Sequence, residues 1–195
     1  MQIKINKIIV FLGFLILVNF TTNCKKEDSP PPYNKYAIGN DYQGGKIAYV
    51  YQPGDPGYNM DTVHGIIAAP YDQGTFPWKP YSINNDFTNT ISTLGEGKNN
   101  TLKLIAIFGT TNDYAAGVCY NLVLNGYDDW VLPSVDELKM LYKTDFKVFG
   151  FLYKNYWSSY KFNGTSAPSG MSFLLGSEIR SSSNSSYYVR AIRYF

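Results

Sequence analysis

Cysteine is nearly missing from this chain, which has only Cys24 and Cys119. Cys24 stands directly after the N-terminal apolar run, so Cys119 has no partner for a disulfide or a thiolate metal site. Histidine is scarcer still, with His64 alone, and nothing in the sequence brings it to Cys119, so a thiolate nucleophile would lack its base. Arginine is confined to Arg180, Arg190 and Arg193. A surplus of positive charge is also lacking: of 17 basic and 15 acidic residues, Lys4 and Lys7 lie in the export segment described next, which leaves fifteen of each sign. Nucleic-acid binding, which needs a basic patch to displace counterions from phosphates, is thereby excluded.

Long apolar runs are absent too, apart from the 11 residues Ile8–Val18, "IIVFLGFLILV". That run is too short for a bilayer span, which takes about 20 residues. With Lys4 and Lys7 before it and the polar "NFTTNC" after it, the segment reads as a basic n-region, an h-region and a processing region. A cysteine at that junction resembles the lipidation site of a bacterial lipoprotein precursor, with 1–23 as signal peptide and Cys24 as the acylated N-terminus. The alternative is a plain secretory signal with an incidental cysteine. The following "CKKEDSPPP" reads as a charged, proline-rich tether over 24–36 that does not fold and holds a domain off the membrane. Its acidic residues are similar to the surface-export tags of Bacteroidetes lipoproteins, so the expected location is the outer membrane or cell surface.

From 37 to 195 the chain carries no internal repeat and no long linker, and reads as one α+β domain. "KIAYVYQPGDPG" is a strand running into a Pro-Gly turn, and "HGIIAAP" is its continuation or partner. Tyr71 to Gly97 is polar, aromatic and turn-rich, with little regular structure expected. "NNTLKLIAIFG" predicts a mostly buried helix capped by Asn99 or Asn100. "TNDYAAGVCYNLVLNG" predicts a second helix, started near Asn112 or Asp113 and closed by Asn125 and Gly126 as a left-handed C-cap. On it, Ala115, Val118, Cys119 and Leu122 have the spacing of a buried stripe, with Cys119 as an apolar filler.

The stretch "GYDDWVLPSVDELKMLY" concentrates carboxylates, which raises the question of an active site. Ser134 and Glu137 have the spacing of a capping box, and Asp136 and Glu137 fall in a first helical turn, where the helix dipole favours negative charge. Leu138, Leu141 and Tyr142 form the stripe beneath, and "WVL" is a short buried strand with Asp128 and Asp129 at its mouth. Acid pairs for glycoside cleavage need two carboxyls facing each other across a bond, which adjacent residues in a turn do not provide. These carboxylates read as scaffold.

"GGKIAYVY", "HGIIAAPYDQG", "GEGKNNT", "YAAGVCYNL", "NGYDDWVLPSVDELKMLY", "YWSS" and "YYVRAIRYF", in order from Gly44 to Phe195, resemble the C-terminal domain family of the Legionella collagen-like protein. That family is similar to a branch of the C-type-lectin-like fold related to formylglycine-generating-enzyme domains. The resemblance implies two to three short helices, a mixed, mostly antiparallel sheet and long loops, on a secreted or surface protein that binds polyanionic glycans in adhesion. It implies no enzyme and no cofactor: Cys119 matches the family's helix cysteine and not the paired thiols of formylglycine generation. Calcium-binding motifs of sugar-binding C-type lectins have no counterpart, so no metal is expected.

Two functions stay open. One is a surface adhesin or carbohydrate-binding module, supported by 18 tyrosines and abundant Asn, Ser and Gly. The other is a structural or assembly module that binds another envelope protein. For the first, the candidate ligand residues are Asp72, Gln73, Trp78, Lys79, Tyr81 and Tyr160. Pro77 and Pro80 bar helix and central strand around Trp78, so Trp78 and Tyr81 are expected to project into solvent. Trp130 and Trp157, each inside a predicted strand, are expected in the core.

Overall fold

A computed structural model describes residues 34–84, 88–162 and 167–195. The expected signal peptide, Cys24 and the expected tether up to residue 33 lie outside the described residues. At the start of the described chain the Tyr36 ring stacks on Phe195 at 5.8 Å and meets the edge of Tyr42 at 5.6 Å. The last residue of the expected tether thus packs on the domain.

Among the described residues the architecture is α+β, with three α-helices and two mostly antiparallel sheets. The first sheet runs β1 (Asp41–Tyr42), β2 (Gly45–Val50), β3 (Gly65–Ala68) and β9 (Ile192–Tyr194), paired in that order and all antiparallel. "HGIIAAP" is therefore the partner of "KIAYVY", and the two ends of the domain share one sheet. The second sheet has the order β4 (Gly74–Phe76), β8 (Tyr187–Val189), β5 (Asn155–Lys161), β6 (Pro168–Ser172) and β7 (Ser177–Arg180). Its β5–β8 pair alone is parallel.

Strand alternation explains why there are two cores. Successive side chains on a strand point to opposite faces, and in β3 Ile67 joins one buried cluster while Ile66 and Ala68 join the other. On β5 the adjacent Tyr156 and Trp157 divide in the same way. Both faces are thus covered. Helices α1 (Gly97–Phe108) and α2 (Ala115–Tyr120) close the cluster of Trp78, Trp130 and Trp157, and α3 (Val135–Lys143) closes that of Phe149, Phe151 and Phe173. Trp130, Trp157 and Cys119 are buried as expected. No helix among the described residues is long and apolar enough to cross a membrane.

Helix α3 begins as its sequence indicates. Ser134 Oγ accepts from the Glu137 N–H at 3.2 Å and the Ser134 N–H donates to Glu137 Oε2 at 2.6 Å, a cap worth about 0.5–2 kcal/mol. The other two helix ends differ from expectation. The residue before α1 is Glu96, and Asn100 is buried inside the helix. Its side chain accepts from the Ile91 N–H at 2.8 Å and donates to the Ile91 carbonyl at 2.6 Å, so it clamps the preceding loop instead of capping. α2 spans only six residues and ends at Tyr120, with Asn121 as its C-cap. Asn125 and Gly126, with φ of 52° and 83°, lie between the bridged pair Leu124 and Tyr127. Two consecutive left-handed residues there make a tight hairpin turn, which asks the same backbone of an Asn-Gly pair as a helix C-cap does.

Candidate functional site

The segment after β3 is held to the fold residue by residue. Asp72 receives the Arg190 Nε–H at 2.6 Å and the Tyr156 hydroxyl at 3.1 Å. Gln73 Oε1 takes the Ala191 N–H, and its amide donates to the Tyr71 carbonyl at 2.8 Å. β4 then pairs antiparallel with β8. Trp78 follows, and it is fully buried: its indole N–H donates to the Ser158 carbonyl and its backbone N–H to the Ser183 carbonyl, both at 2.8 Å. The expectation of an exposed Trp78 is therefore corrected. Pro77 and Pro80 do prevent regular structure, but they aim the ring into the core, where it meets Phe108 edge to face at 6.1 Å.

Trp78's backbone bond to Ser183 sets the next few residues against the turn between β7 and β8. Together they line a cleft of about 400 Å³ whose walls carry Lys79, Tyr81, Ile83, Asn84, Ser182 and Asn184. That volume lies in the range of small-ligand sites, about 300–1,000 Å³. Tyr81 is 63% exposed and its hydroxyl donates to the Asn184 carbonyl at 3.3 Å. Lys79 is mostly buried at the edge of the same cleft. The opposite wall is stiffened from within: Ser182 accepts from the Asn184 N–H through its hydroxyl and from the Ser185 N–H through its carbonyl. Amides, hydroxyls and one exposed ring converge on a concave polar surface, which can hydrogen-bond a polyhydroxylated ligand and cover one apolar face of it.

Of the six candidate residues, the fold brings Lys79 and Tyr81 to this cleft. Asp72 and Gln73 are occupied in holding the segment to Arg190 and Ala191, as above. Trp78 is core and is not among the cleft-lining residues. Tyr160 is half-buried on β5, with its ring edge to face with Phe162 at 6.5 Å, and is not among the cleft-lining residues. Sequence reasoning missed Asn84, Ser182 and Asn184. The run "SSSNSS", rich in adaptable hydrogen-bonding groups, was the available signal.

Three carboxylates of the "GYDDWVLPSVDELKMLY" stretch, Asp129, Asp136 and Glu137, have structural partners. Asp129 pairs with the Arg193 guanidinium through two bonds of 2.6 and 2.9 Å, and Arg193 also lies over the Tyr127 ring at 4.0 Å. Arg193 beside it holds the Asp129 carboxyl below the usual range. Asp136 accepts from Lys139 at 2.8 Å. Glu137 is fully buried and also takes the Gly95 N–H at 2.9 Å and the Tyr194 hydroxyl at 2.6 Å, which ties α3 to β9 and to the loop before α1. Cys119 is sealed in the core, where burial pushes its thiol up. His64 is held by Thr62 Oγ1 at 2.7 Å and the Phe195 carbonyl oxygen at 3.1 Å. Among the described residues no three His, Cys, Asp or Glu side chains gather as a metal site.

Burial pushes the Glu137 carboxyl above its ordinary 4.5, against the pull of its donors. A raised folded-state pKa means that the native state binds the proton more readily than the unfolded chain. The resulting stabilisation is complete below the ordinary glutamate range and is lost as pH rises through the raised value. Urea unfolding followed from acid to neutral pH should show this decline in the wild type and a flatter profile in Glu137→Gln. Parallel profiles would refute the assignment.

Compared with known proteins, the chain matches no protein-family model and no curated protein sequence.

Proposed function

We propose that this protein is an exported lipoprotein, anchored through Cys24 at the outer membrane or cell surface, whose domain is C-type-lectin-like and binds a carbohydrate in adhesion without catalysing a reaction. The lectin-like reading is supported by the motifs resembling the collagen-like-protein C-terminal domain, by helices packed on a mixed, mostly antiparallel sheet system, and by the long segment between β4 and α1. The observation that carries the binding function is the cleft, where that segment delivers Tyr81, Lys79 and Asn84 against the Ser182–Asn184 turn. Tyr81 gives a sugar a flat C–H-facing surface, and the amides and hydroxyls around it match hydroxyl groups in both donor and acceptor roles.

A glycan array probed with the Cys24→Ser protein tests the binding function. Tyr81→Ala should weaken binding to the selected glycan by more than tenfold, about 1.4 kcal/mol, with an unchanged melting temperature because the ring is mostly exposed. An array without hits, together with specific capture of an envelope protein by the same bait, would move the function to assembly. For the anchor, Cys24→Ser should release the protein from the membrane fraction and abolish acyl labelling. Unchanged fractionation, with no acyl chain on the wild type, would remove the lipoprotein assignment.

A further inference from the structure

A second face, remote in chemistry from the polar cleft, collects exposed apolar and basic side chains. The turn joining β6 to β7 presents Leu174 and Leu175 at 66% and 71% exposure. The Phe173 N–H bonds to the Lys154 carbonyl at 2.9 Å, which places this tip beside Leu152 and Tyr153, both about half exposed. Phe173 also touches Phe146, at 5.2 Å between ring centroids, in the 3₁₀ turn Phe146–Phe149. That turn adds the exposed Val148.

The charges on this face are mostly of one sign. Lys143, Lys147 and Lys154 are exposed on it, with Asp145 as the acid among them. Asp72, also close by, is paired with Arg190, whose guanidinium donates to the Phe149 and Gly150 carbonyls. The Lys147 ammonium lies over the Tyr153 ring at 5.6 Å. Leucines and a tyrosine interleaved with lysines are the composition that settles into the interface of an anionic bilayer, with apolar tips among the acyl chains and ammonium groups at the headgroups.

The described chain begins on this side. Val148 lies against Gly39, and Thr144 shares a cleft with Asn34, Tyr36 and Ile38. Asn34 is ten residues from Cys24, a span of at most about 35 Å of chain. A tether that short keeps its domain at an effective concentration near millimolar at the surface that holds it, so weak intrinsic affinity is enough. We propose that the face formed by the 3₁₀ turn and the β6–β7 tip rests on an anionic lipid surface. The proposal rests on the Cys24 anchor described above, and it would orient the domain as well as tether it.

The test places an environment-sensitive nitrobenzoxadiazole label at Leu175→Cys in the full chain, reconstituted in phosphatidylethanolamine–phosphatidylglycerol vesicles. Buried Cys119 is shielded from the label. A matched label at Val123→Cys, 73% exposed in the segment that follows α2, serves as the control. The expected result is a blue shift and quenching by doxyl lipids at position 175 and not at 123, with the response reduced in phosphatidylcholine, at high salt, and by Lys147→Glu with Lys154→Glu. A label at 175 that stays in water on anionic vesicles overturns the proposal. So does a concentration-dependent shift without vesicles, which would make the occupant a second copy. Intact mass reports the acyl chains separately, so an anchored protein with a water-exposed label refutes this face and leaves the anchor standing. Should Cys24 carry no acyl chain, the anchor fails, and the same label in Cys24→Ser with added vesicles decides the face by the same criteria.

Discussion

Arg190→Met should cost the fold about 3–5 kcal/mol, the range for removing one partner of a buried ion pair. Arg190 joins β8 to β9 and its side chain is 1% exposed. Its Nε–H donates to Asp72 at 2.6 Å, and its two terminal nitrogens donate to the carbonyls of Ala69, Phe149 and Gly150 at 2.7–3.0 Å. The guanidinium plane also covers the Phe151 ring at 4.4 Å. Methionine keeps much of the volume and none of the donors, so a carboxylate and three carbonyls lose their partner together. Lysine has three donors on one nitrogen and does not reproduce a planar fork, so Arg190→Lys should recover only part of the loss. Asp72→Leu combined with Arg190→Met removes the stranded carboxylate but not the stranded carbonyls. The double variant should therefore stay well below wild type, unlike ion pairs whose joint replacement by apolar residues is neutral. Urea unfolding at neutral pH measures all three. A single Arg190→Met variant within 1 kcal/mol of wild type would mean that water reaches these groups.

A loss of that size is a large share of a domain's usual stability of about 5–15 kcal/mol, yet nothing near Arg190 in sequence signals it. Its partner Asp72 is 118 positions away. The same division holds through the fold. The Ser134–Glu137 capping box, the strand character of β2 and β3 and the burial of Trp130, Trp157 and Cys119 are legible because each follows from spacing within a few residues. Asn100 reads as a cap by the same local rules, and it fails as one because tertiary packing puts Ile91 and Ser159 within reach of its amide. Asn125–Gly126 is legible as a left-handed pair. Whether it ends a helix or turns a hairpin is decided by the pairing of Leu124 with Tyr127, which the two residues themselves do not encode. Of the cleft's lining, Lys79 and Tyr81 lie in the segment singled out from the sequence, while the Ser182–Asn184 wall and the inward direction of the Trp78 ring were not legible. Proline restricts the backbone at Pro77 and Pro80, but the carbonyls that receive Trp78 come from residues 158 and 183.

Trp78→Ala should cost about 3–5 kcal/mol, the range for deleting a large aromatic from a packed core. The variant loses the edge-to-face contact with Phe108, leaves a cavity beneath α1, and strands the Ser158 carbonyl in a place closed to water. Trp78→Phe separates these terms: it restores most of the ring volume and should fall short of wild type mainly by the missing hydrogen bond, roughly 0.5–1.5 kcal/mol. The two variants also separate core from contact. Trp78's backbone N–H, present in both, holds the Ser183 carbonyl, and Lys79 and Tyr81 follow directly on the cleft wall. Trp78→Phe should therefore bind the same glycan as wild type with unchanged affinity, while Trp78→Ala should lose binding only as far as it unfolds. Binding measured below the melting transition of each variant, beside the urea curves, distinguishes the cases. A Trp78→Ala protein with wild-type stability and abolished binding would return the indole to the ligand surface.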